Sequence, residues 1–114
     1  MKVSRFIIFT PDVGRLANFY ATSFGLSKVG DVDEEWTELD AGVCKIAFHK
    51  ISEKGTNRDG WTKLVFGSKD VEGEKVRLEN MGVKMSEITI FGEIQLCDGR
   101  DPDGNYFQIS SRGV

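Results

Sequence analysis

One short pattern occurs twice in this chain, and that repetition narrows the possible folds more than any other feature. Residues 4–13 read SRFIIFTPDV and residues 62–71 read TKLVFGSKDV. Superposed, Arg5 falls on Lys63, Phe6 on Leu64, Ile7 on Val65 and Asp12 on Asp70. Each copy is a short apolar strand, a turn, and an aspartate that opens a polar, helix-forming stretch. Aspartate caps well there because its carboxylate accepts from the first free N–H groups of a helix. In the first copy Val13, Leu16, Ala17, Tyr20 and Phe24 recur at helical spacing, and Gly25 supplies the stop. In the second, Val71, Leu78 and Met81 define the apolar face, with Gly82 at its end. Strand patterns follow: WTELD and VCKIAFH in the first half, EIQLC and NYFQIS in the second, with KVGDV as a further short strand. Each half therefore reads β-α-β-β-β, and the aperiodic segment KISEKGTNRDG at 50–60 joins them.

The 114 residues suit one domain, 1–114. It divides into module 1 at about 1–50, a linker at about 50–60 and module 2 at about 61–114. A net charge of −3 argues against a nucleic-acid partner, which needs clustered positive charge. The apolar run Phe6-Ile7-Ile8-Phe9 is too short for a membrane span or a signal-peptide core. Cys44 and Cys97 have no CxxC spacing and read as reduced thiols of a cytoplasmic protein.

With the repeat, the stretches FYATSFGL, ELDAGVCKIAFH and DPDGNYFQIS make the chain resemble the vicinal oxygen chelate superfamily, the glyoxalase, bleomycin-resistance and extradiol-dioxygenase group. The resemblance covers nearly the whole chain. It implies an α+β fold: two tandem β-α-β-β-β modules forming curled mixed sheets around a cup-shaped pocket. It also implies a homodimer, since chains of this size in the family usually pair symmetrically.

The family's enzymes hold a divalent metal on strands facing the cup. The resemblance carries those ligand positions to Arg5, Lys63, a place near Ala47, and Gln108. The donor chemistry opposes a metal there. Arginine offers no lone pair, lysine would have to lose its proton beside another cation, and alanine has nothing to give. The amide of Gln108 alone does not hold zinc, iron or nickel. The expectation is a site with no metal and no cofactor.

What remains is a set of candidate ligand-binding residues: Arg5, Lys63, Gln108, Tyr106, Phe9, Glu38, Trp36 and Ala47. Strand alternation gives Phe9 the parity of Arg5 and Tyr106 the parity of Gln108, while Phe107 and Ile109 point to the core. Lys45, Ala47 and His49 likewise share a side. Trp36 and Trp61 begin strands, where orientation is open. Arg5 and Lys63 either form an anion-binding pair, or stand solvated at the mouth or pair with Glu38. In the Asp101-Pro102-Asp103-Gly104 turn, Pro102 suits the second place and Gly104 tolerates positive φ, so the turn reads as structural.

The functional expectation is a metal-independent small-molecule binding protein with a pocket for an anionic or polar aromatic ligand. A metal-independent lyase- or isomerase-type enzyme using Glu38, His49 or Tyr106 as acid or base is the alternative, with no nucleophile–base–orienter arrangement to mark its catalytic residues. An interaction module and a metal-dependent glyoxalase or dioxygenase rank below these.

Overall fold

In the computed structural model, residues 5–51, 63–112 and 114 are described. Two compact units divide the chain, Met1–Thr56 and Asn57–Val114. The first contains β1 (Arg5–Thr10), α1 (Val13–Phe24), β2 (Ser27–Val29), β3 (Trp36–Asp40) and β4 (Lys45–Lys50). The second repeats the order with β5 (Lys63–Gly67), α2 (Val71–Asn80), β6 (Thr89–Phe91), β7 (Ile94–Arg100) and β8 (Tyr106–Ser110). Each unit builds an open four-stranded mixed sheet, ordered β1-β4-β3-β2 in one and β5-β8-β7-β6 in the other. β1 runs parallel to β4 and β5 parallel to β8, and the remaining pairs are antiparallel. The fold is thus α+β, with the same topology twice.

The caps read from sequence hold both helices. The Asp12 side chain accepts from Arg15 N–H at 3.1 Å and Asp70 from Gly73 N–H at 2.9 Å. Gly25 closes α1 at φ 66, a left-handed conformation that costs a glycine nothing. The apolar face of α1 packs on β3 and β4: Leu16, Tyr20, Leu39 and Phe48 are fully buried, and the Tyr20 and Phe48 rings stack 5.7 Å apart. Burying one such side chain contributes about 1.5–3 kcal/mol. In the second unit Val71 and Leu78 of α2 are buried, as are Cys97, Phe107 and Ile109 on β7 and β8. Burial pushes the Cys97 thiol above its ordinary value, which suits a core residue and not a nucleophile.

Two elements differ from the sequence reading. Met81 was expected on the core face of α2, yet it is exposed, because the helix ends at Asn80. Gly82 N–H then donates to the Glu79 carbonyl and Val83 N–H to that of Leu78, turning the chain so that Met85 is buried instead. β6 is three residues that join β7 through Gly92 at φ 59, too short to show a periodic pattern. Among the described residues no helix is long and apolar enough to cross a membrane, and Cys44 and Cys97 are free thiols.

Two glycines give opposite expectations. A Cβ on Gly99 would come within 2.6 Å of both Met85 Sδ and Phe107 Cζ, whereas one on Gly14, in the first turn of α1, would meet nothing nearer than 3.9 Å. Gly99→Ala is expected to destabilise by about 1–3 kcal/mol, and Gly14→Ala to stabilise by about 0.5–1 kcal/mol. Denaturant-unfolding midpoints measure both, and a neutral Gly99→Ala would mean that the packing around β7 is loose.

Candidate functional site

Strand register decides which side chains share a sheet face. In the first unit, Arg5 lies opposite Lys45, Ile7 opposite Ala47 and Phe9 opposite His49. Across the next pair, Glu38 lies opposite Ala47 and Trp36 opposite His49. These residues alternate with Ile46, Phe48 and Leu39, whose burial with α1 marks the other side of the sheet. Arg5, Phe9, Trp36, Glu38 and Ala47 therefore come together on the face turned away from α1, as strand alternation requires.

Glu38 is the centre of this face. Arg5 Nη2 lies 3.3 Å from its Oε2, and Trp36 Nε1 donates to its Oε1 at 3.0 Å. Burial acts to raise the Glu38 carboxyl, but the hydrogen bonds from Trp36 and Arg5 and the charges of Arg5 and Lys45 outweigh it and hold the group below its ordinary value. At the strand ends His49 stands between two aromatic rings, 5.5 Å from Phe9 and 5.6 Å from Trp36.

Beside Glu38 opens a pocket of about 540 Å³. The strands contribute Arg5, Val29, Trp36, Glu38 and Lys45 to its lining, and the segment entering β3 contributes Gly30, Asp31, Asp33 and Glu35. Phe9 and Ala47 share the sheet face without lining this pocket; Ala47 is fully buried between its neighbours.

The second unit repeats the arrangement. Lys63 lies opposite Tyr106, Val65 opposite Gln108, and Gln108 opposite Asp98. The row Ile7–Ala47–Glu38 thus has its counterpart in Val65–Gln108–Asp98, which makes Asp98 the equivalent of Glu38 and Gln108 that of Ala47. Lys63 Nζ lies 3.3 Å from both oxygens of Asp98, and Gln108 Nε2 donates to Asp98 Oδ1 at 3.0 Å. The Arg100 guanidinium stacks 4.0 Å from the centroid of the Tyr106 ring and donates to its hydroxyl. In both units a cation on the first strand is neutralised by a carboxylate two strands away.

Sequence reasoning named Arg5, Lys63, Gln108, Tyr106, Phe9, Glu38, Trp36 and Ala47, and the structure sorts them by unit. Lys63, Tyr106 and Gln108 share the second sheet, and the other five share the first. Trp61 lies outside the described residues. Asp98, Arg100 and the loop acids Asp31, Asp33 and Glu35 were missed. Asp98 was within reach, because Cys97 as a core residue sends its neighbour to the opposite face.

The donors at the family's ligand positions do not fit a metal. Arg5 and Lys63 are cations already held by carboxylates, Ala47 has no donor atom, and the Gln108 amide nitrogen is turned to Asp98. Among the described residues no group of three or more His, Cys, Asp or Glu side chains is placed to hold a metal ion. In the Asp101 turn the carboxylate, buried, accepts from Asp103 N–H and Asn105 N–H, each at 2.9 Å, and Gly104 takes φ 86. That turn is structural.

The profile of the Glyoxalase/Bleomycin resistance protein/Dioxygenase superfamily matches residues 2–109. The chain belongs to this superfamily. Among solved structures, a lactoylglutathione lyase from Agrobacterium tumefaciens aligns with TM-score 0.76 at 16% identity, covering 95% of this chain and 91% of that one. A possible glyoxalase from Bacillus cereus aligns with TM-score 0.78 at 16% identity, covering 96% and 97%. An integron cassette protein from the mobile metagenome of V. Pseudocholerae aligns with TM-score 0.75 at 24% identity, covering 100% and 96%. At these identities the likeness is one of fold. No curated protein matches the sequence significantly.

The charge cluster at Glu38 gives a pH signature. A carboxyl held below its ordinary value of 4.5 in the folded state is more acidic there than in the unfolded chain. Its stabilisation is complete above pH 4.5 and is lost as the pH falls through the lowered folded value. The melting-temperature gap between wild type and Glu38→Gln is therefore expected to be widest at neutral pH and to narrow in acid. A gap that stays constant down to strongly acidic pH would show that the Glu38 charge contributes nothing.

Proposed function

We propose that this protein is a metal-independent receptor for a small polar aromatic molecule, held in the pocket beside Glu38. The observation that carries the reading is the pairing of a cavity of about 540 Å³ with an indole whose orientation is fixed, Trp36 hydrogen-bonded to Glu38 at 3.0 Å. The lining sets Trp36 and Val29 among ionisable side chains, a composition suited to a polar molecule with an aromatic part. An aromatic side chain of fixed orientation loses little entropy when a planar ligand stacks on it.

Metal independence is supported by the donor chemistry at Arg5, Lys63, Ala47 and Gln108. An anionic ligand clamped by Arg5 and Lys63 gains less support. Each cation has a carboxylate of its own unit within 3.3 Å, which an anion would have to displace. The polar aromatic form of the reading is therefore preferred over the purely anionic form.

The enzyme alternative rests on Glu38, His49 and Tyr106. A carboxyl lowered and held by donors on both oxygens is a weak proton acceptor at neutral pH. The Tyr106 hydroxyl accepts from Arg100. We therefore assign Glu38 and Tyr106 to recognition and to the fold, which leaves His49, between the Phe9 and Trp36 rings, as the acid–base group of the enzyme alternative. The family's habit of pairing supports a homodimer, and the composition supports a cytoplasmic protein without nucleic-acid or membrane partners.

A thermal-melt screen with benzyl-, phenol- and indole-bearing compounds tests the reading. A compound present at about 100 times its dissociation constant adds roughly 2.7 kcal/mol of stability. At least one class is expected to raise the melting temperature of wild type and to leave Trp36→Ala unmoved. Equal stabilisation of both proteins would place the binding elsewhere.

A further inference from the structure

Resting on the receptor reading, the charges of the same pocket specify the ligand further. Three of the six ionised side chains that line it, Arg5, Glu38 and Glu35, stand in ion pairs. Arg5 is balanced by Glu38 at 3.3 Å, and Glu35 by Lys50 at 3.9 Å. Of the lining charges, Lys45, Asp31 and Asp33 make no ion pair among the described residues. Asp33 Oδ1 accepts from Glu35 N–H at 2.7 Å, which leaves its charge in place. Asp40, the cross-strand neighbour of Lys45, turns instead to Gly42 N–H at 2.8 Å.

The charges outside ion pairs thus have both signs and come from different elements, with Lys45 also within electrostatic reach of Glu38. Lys45 opens β4, whereas Asp31 and Asp33 lie on the segment between β2 and β3. Trp36 and the Val29 side chain supply apolar lining to the same cavity. A ligand bearing only a negative charge would meet Lys45 but face the repulsion of two carboxylates. One bearing only a positive charge would meet the carboxylates but face Lys45. A molecule with both charges answers both, and discrimination follows from the penalties on the others.

We propose that the ligand is a zwitterion with an aromatic or apolar body: a carboxylate or similar anion at Lys45, an ammonium at Asp31 and Asp33, and the body against Trp36. Lys45 gives the anion a mobile point charge, and the two aspartates give an ammonium several acceptors.

The test is a calorimetric titration with a series that shares one body: L-phenylalanine, 3-phenylpropionate, phenethylamine and 2-phenylethanol. L-phenylalanine is expected to bind about tenfold or more tightly than any of the other three, a preference equal to one lost charge-assisted contact. Lys45→Gln is expected to bring L-phenylalanine down to the level of phenethylamine. The double variant Asp31→Asn, Asp33→Asn is expected to bring it to the level of 3-phenylpropionate. Both aspartates are exposed, so these changes leave the core untouched. Equal binding of the four compounds, or tightest binding of a singly charged one, overturns the zwitterion assignment and leaves the receptor reading standing. Binding of none of the four, with no aromatic hit in the melt screen, overturns the receptor reading and this assignment with it.

Discussion

Parallel pairing of the first and last strands of each unit sets everything else at the site. β1 on β4 and β5 on β8 fix the register in which cations, carboxylates and aromatic rings meet on one sheet face. A slip of one residue would exchange the two faces, sending Phe48 or Phe107 to the open side and the ionised groups against the helix. The buried contacts of Tyr20 with Phe48 oppose any such slip, because they are made only in the observed register. The core thus specifies the site, and Ala47 is the described residue common to both.

On that face both units solve the same electrostatic problem alike. A cation on the first strand is met by a carboxylate on the third strand of the sheet, Glu38 in one unit and Asp98 in the other. Ala47 or Gln108 occupies the strand between. At the positions where the resemblance places metal donors, Arg5 and Lys63 stand in ion pairs and Gln108 donates to Asp98. Such exposed pairs contribute little to stability. In the proposed receptor they occupy Arg5 and Lys63 and leave Lys45, Asp31 and Asp33 to meet the ligand.

Much of this was legible in the sequence for identifiable reasons. The repeat of strand, turn and capping aspartate gave the topology, because a cap acts within one helical turn and is visible in a few residues. Alternation put Arg5 with Phe9 and Gln108 with Tyr106, since a strand has a period of two whatever lies around it. The misses have a different character. Asp98 and Arg100 matter through cross-strand pairing, which depends on loop lengths that differ between the halves. The loop acids Asp31 and Asp33 carry no periodicity, so nothing in the sequence tied them to Lys45. Met81 was placed in the core by spacing alone, whereas backbone hydrogen bonds at the end of α2 stop the helix one residue earlier.

In the proposed receptor the Arg5, Lys63, Ala47 and Gln108 positions hold no metal because they lack the donors for one. Calorimetric titration of chelator-stripped protein with zinc, nickel, manganese and ferrous ions addresses it directly. No saturable uptake is expected at any of these positions. Uptake of one ion per chain, lost in Gln108→Ala, would contradict the claim and return the site to the metal chemistry of its family.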